Sequence, residues 1–97
     1  MAQTVSECLT AATDSITVIN DINSKGLSST HIVASDLSKG VTQADANVKV
    51  KANVDHLTII LAYDGTGGTP NVKDASDDKS SYTTAITTGN TYISNNS

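Results

Sequence analysis

A chain of 97 residues with net charge −4, no arginine, tryptophan or phenylalanine and a single glutamate (Glu7) lacks most of the side chains that catalysis and recognition use. Its six lysines are scattered and no guanidinium is present to grip phosphate with paired hydrogen bonds, which argues against a nucleic-acid partner. Serine, threonine and asparagine supply 34 residues against 21 from Leu, Ile and Val, so one small domain with a thin core is the most the chain supports, and it gains from a partner surface.

The first element is written clearly. Thr4 and Glu7 form a capping box, in which the threonine oxygen takes the Glu7 amide and the carboxylate reaches back to the Thr4 amide. Val5, Leu9, Ala12, Ile16, Ile19 and Ile22 then recur at three- and four-residue steps, predicting a helix over residues 5–25. Gly26 supplies a left-handed stop, Lys25 sits at the negative helix end, and Leu27 can fold back onto Ile22. Ser38-Lys39-Gly40-Val41 repeats this punctuation and reads as a second helix stop. Between the two, Ser28 or Ser29 caps a short predicted helix carrying Ile32, Val33 and Leu37.

Residues 42–63 admit two readings. As a helix, Thr42 caps with Asp45, and Ala46, Val50, Val54, Leu57 and Leu61 form one stripe. As β-structure, Val48, Val50, Ala52 and Val54 alternate with polar residues, giving a strand or hairpin at 47–61. The start signal and the stop at Asp64-Gly65 favour the helix. Residues 64–70 form a glycine-rich loop. Thr69 then caps a further helix with Pro70 at its first position, carrying Val72, Ala75, Tyr82, Ile86 and Ile93. Its second half, Thr83 to Ile93, is a poor helix former, expected to fray or to become an extended arm that pairs with a neighbour. The fold predicted is mainly α: a small antiparallel helical bundle of three to four helices, with α+β as the alternative. A single domain spans 1–93, followed by a disordered tail at 94–97.

Candidate chemistry is sparse. The Gly65–Gly68 loop resembles a phosphate-cradling turn only if a strand precedes it, and proline stands where the dinucleotide fingerprint needs its third glycine. A connector is the expectation. Asp74, Asp77 and Asp78 lack calcium-loop spacing and read as a solvated face. His31 and His56 stand far apart in sequence, and Cys8 falls near the apolar stripe as a buried small hydrophobe. No catalytic, cofactor-binding or metal residue is assigned, and neither an enzyme activity, a cofactor nor a small-molecule substrate is expected. The single cysteine allows no intrachain disulfide. MAQTVSECLT is not a conventional export signal, and Ile59–Tyr63 is too short an apolar run to span a bilayer. The expected location is the cytoplasm at synthesis, then a virion or filament.

Tyr63, Tyr82 and Tyr92 are the only aromatics, and aromatic side chains are favoured interface anchors. Tyr82, Ile86, Tyr92 and Ile93 are the candidate interface residues. Val41-Thr42-Gln43 followed by Asn47-Val48-Lys49-Val50 resembles a segment of the small proteins that polymerise into bacterial R-body ribbons, where the two pieces stand closer together. The likeness covers about seven residues, implies a ribbon-forming polymer and transfers no residue role. Length and composition are also similar to those of small phage virion components and short helical filament subunits. The expected function is a non-enzymatic structural subunit that assembles with copies of itself or docks onto a larger particle. A small adaptor or regulatory module binding one protein partner is the alternative.

Overall fold

A computed structural model describes residues 3–97; residues 1 and 2, the start of the segment read for an export signal and of the 1–93 domain, lie outside them. The described chain is mainly helical, with α1 (Val5–Ala11), α2 (Thr13–Lys25), α3 (Gln43–Leu61) and α4 (Ser80–Asn95), and a 3-10 turn at Gly26–Ser28. The only β pairing among the described residues is an isolated bridge between Asp64 and Asn71, so the strand or hairpin at 47–61 is replaced by uninterrupted helix.

Both expected capping boxes form. Thr4 accepts the Glu7 amide at 3.1 Å and Glu7 accepts the Thr4 amide at 2.9 Å. Thr42 and Asp45 repeat the arrangement at the start of α3. The predicted helix over 5–25 is broken for one residue at Ala12. At that break the Leu9 carbonyl accepts the Tyr82 hydroxyl at 2.6 Å together with the Ala12 amide. Turning toward α4 draws this carbonyl away from the regular ladder. Gly26 then ends α2 with φ of 59°, as its position predicts.

The short helix around Ile32 does not form. Residues 29–42 run as turns, because side chains supply the partners that a helical backbone would have supplied itself. The Ser29 hydroxyl donates to Asp21 Oδ2 at 2.7 Å and accepts the His31 amide at 3.2 Å. Asp36 accepts the Ser38 amide, and Asp45 accepts the amides of both Ser35 and Thr42. Ile32 is buried and anchors the segment, whereas Val33 and Leu37 remain exposed. Gly40 has the positive φ expected of it, but it turns a loop and stops no helix.

The second departure lies between α3 and α4. The helix expected from Thr69 and Pro70 begins only at Ser80. Residues 62–79 instead fold back on themselves: the Lys73 amide donates to the Tyr63 carbonyl at 2.8 Å, and Val72 enters the core with no exposure. Conversely, Thr83 to Ile93, expected to fray or extend, is helical. Helix continues through Ser94 and Asn95, and Asn96 is tied by its Nδ2 to the Tyr92 carbonyl and by its carbonyl to Asn47 Nδ2, in place of the disordered tail expected from 94.

Long-range contacts fix the helix directions. Tyr82 meets Leu9, while a Cβ at Gly89 would stand 3.4 Å from Ile19, so α4 runs parallel to the α1–α2 segment. Tyr92 meets Gln43, while a Cβ at the earlier Gly89 would meet the later Val50 and Val54, so α3 runs antiparallel to α4. The core lies between α2, α3 and α4, where Ile19, Ile22, Val50, Leu57 and Val72 are its largest wholly buried side chains. The result is elongated. Its radius of gyration is 14.8 Å, against about 12.5 Å for a compact chain of this length.

Candidate functional site

The four expected interface residues all lie on α4, and the fold already uses them. Tyr92 is buried; its hydroxyl accepts Gln43 Nε2 at 3.0 Å, and the same amide donates to Asn47 Oδ1 at 3.1 Å. Together with the Asn47 and Asn96 bonds, this network fastens the start of α3 to the end of α4. Tyr82 is half-buried and fastens the start of α4 to the α1–α2 break. Ile86 and Ile93 are also half-buried and pack against the edge of the core. Both tyrosines are therefore clamps between helices of one chain.

The exposed side of α4 is a threonine surface. Thr83, Thr84, Thr87, Thr88 and Thr91, with Asn23 of α2, line an open hollow of about 450 Å³. Its hydroxyls are accompanied by no charged side chain, so it offers neutral hydrogen-bonding groups and methyls.

The most uneven surface belongs to α3. Its inward face buries Ala46, Val50, Val54, Leu57 and Ile60. On the opposite side, Val48, Ala52, Asp55, Ile59 and Ala62 follow one another at alternating four- and three-residue steps, the spacing of a helix–helix seam. Val48 is 70% exposed and Ile59 is 59% exposed. The polar members of this face neutralise each other, since Lys51 Nζ lies 3.0 Å from Asp55 Oδ2. Beside it, Val33, Ser35, Ala44, Asp45, Lys49 and Ala52 contribute to a mainly apolar hollow of about 380 Å³, which widens the apolar surface at the N-terminal end of α3. Sequence reading found only the inward stripe of α3. The outward one is a second heptad-like series, but its Val48 and Ala52 also belong to the strand alternation, which obscures it.

The remaining candidates stay apart. The Gly65–Gly68 loop follows a helix, not a strand, and α4 begins only at Ser80, so its amides do not open a helix toward an anion. Asp64 occupies the loop itself: Thr66, through its hydroxyl and then its amide, hydrogen-bonds this carboxylate and holds its pKa below the usual range. Asp74 bonds Asn71, and Asp78 accepts the Ser80 amide at the start of α4. His31 lies 3.9 Å from Asp21, and His56 is exposed. Among the described residues no group of three His, Cys, Asp or Glu side chains is placed to hold a metal ion. Cys8 is buried, with its thiol toward Gln3 Oε1. No helix among the described residues is long and apolar enough to cross a membrane.

Comparison with protein families, curated proteins and solved structures finds no match to this chain.

Proposed function

We propose that the protein is a structural subunit that assembles with copies of itself or docks onto a larger particle. The observation that carries this reading is the concentration of large apolar side chains at the surface of α3 and its neighbouring loop: Val33, Leu37, Val48 and Ile59 are each more than half exposed. Val33 and Val48 line one hollow with Ala44 and Ala52, and exposed apolar side chains gathered in this way favour a contact site. An elongated shape and a core without phenylalanine or tryptophan leave little internal burial, so association contributes stability that one chain lacks. A virion component, a helical filament and an R-body-like ribbon are the assemblies that fit the composition and the short sequence likeness.

Light scattering across a concentration series, followed by negative-stain microscopy, tests the proposal. Multimers or ordered polymers are expected. A folded monomer at every concentration would remove the assembly reading and leave the one-partner adaptor.

A further inference from the structure

We infer that the outward face of α3 pairs with the same face of a second copy, the two helices running antiparallel about a twofold axis midway between Ala52 and Asp55. This rests on the assembly reading above and names the surface that reading would use.

Three observations select a second copy as the occupant. First, the face repeats at the four-three spacing that packs one helix against another, over Val48, Ala52, Asp55, Ile59 and Ala62. Second, it is self-complementary in size. An antiparallel register that sets Val48 opposite Ile59 of the second copy also sets Ala52 opposite Asp55, so the large apolar side chains meet each other and each small alanine beside the axis leaves room for the facing carboxylate. Third, it is self-complementary in charge. Lys51 and Asp55 are paired within one chain on an exposed helix, with side chains 67% and 53% exposed. In the antiparallel register Lys51 of each copy falls beside Asp55 of the other, so two intrachain ion pairs become a four-charge cluster with no unlike partner lost. A chain of net charge −4 repels its copies in general, but this face carries no net charge.

Such a contact is isologous and closes as a dimer. Extension to a filament or docking on a particle then needs a second surface, and the threonine face of α4 is left free for it.

The test uses three preparations: a Val48→Cys chain, an Ile59→Cys chain, and an equimolar mixture of both under mild oxidation. Both positions are exposed, so the substitutions leave the core alone, and circular dichroism checks that helix content is unchanged. Cys8 is buried, and the wild-type chain under the same conditions is the blank. On one helix the two positions lie about 16 Å apart, beyond disulfide reach. A disulfide-linked two-chain species should form in the mixture and stay at the blank level in either variant alone. Cross-linking of Val48→Cys with itself, or no cross-link in the mixture while wild-type light scattering shows multimers, overturns the antiparallel pairing and leaves assembly standing. A wild-type monomer at every concentration overturns both.

Discussion

Both sides of α3 carry large apolar side chains, yet only the inward ones are packed within the chain. The inward side meets α2 and α4 around Val50, Val54 and Leu57; the outward side presents Val48 and Ile59 to solvent. The inward set has one-chain work, because its burial holds three helices together. The outward set contributes nothing to the isolated chain, and its cost in exposed apolar surface is recovered only when something covers it. Substitutions on the two sides should therefore act on different observables.

The largest effect is expected inside. Leu57→Ala removes a wholly buried side chain and should lower unfolding free energy by about 2–5 kcal/mol in chemical denaturation. Gly89→Ala comes next and carries the more informative sign. Helix propensity alone favours alanine by about 1 kcal/mol. The added Cβ, however, would press on Val54 Cγ2 and lie 3.1 Å from Val50 Cγ1, so overpacking should win and leave the variant about 1–2 kcal/mol less stable. A stabilised variant would show that α4 does not sit as close to α3 as described. Tyr82→Phe removes one hydrogen bond to the Leu9 carbonyl and should cost about 1 kcal/mol. Outside, Val48→Ser and Ile59→Ser should each change the denaturation midpoint of the dilute chain by no more than about 0.5 kcal/mol equivalent, while weakening assembly.

Acid should also distinguish the caps and turns that frame the helices from the outward face of α3. Hydrogen bonds from Thr4, Ser29, Ser35, Thr66 and Ser80 hold the carboxyls of Glu7, Asp21, Asp45, Asp64 and Asp78 below their ordinary values. A depressed folded pKa gives stability that is present above the unfolded value and lost as pH falls through the folded one. The melting temperature should therefore vary little with these groups above about pH 5 and drop below about pH 4. Asp45→Asn, which disturbs bonds to both Ser35 and Thr42, should flatten that acid limb; Asp55→Asn on the outward face should leave it in place.

Local signals in the sequence carried the helix starts and stops well. Thr4, Thr42, Gly26 and the inward stripe of α3 all act as their chemistry predicts, because a cap needs only residues within one turn. The departures occur where distant residues decide. Thr69 and Pro70 form a sound start signal, but Val72 is drawn into the core and the chain from 70 to 79 bends around it. Thr83 to Ile93 has weak helical preference. It is nevertheless helix, because Gly89 allows close approach to α2 and α3, and Tyr82 and Tyr92 fasten its two ends. Those partners stand as much as 73 residues away in sequence. The candidate site was legible only in part: Tyr92 reads as an aromatic anchor, and nothing in its local sequence reveals that its hydroxyl accepts a hydrogen bond from Gln43 Nε2 on another helix.

The most direct measurement is the solution mass of the wild type beside that of Val48→Glu/Ile59→Glu, by light scattering at matched concentration with circular dichroism of both. The outward face is the assembly surface if the wild type forms two-chain units or their multiples and the double variant, equally helical, is monomeric. A wild-type monomer throughout, or a double variant that assembles as the wild type does, would contradict that assignment.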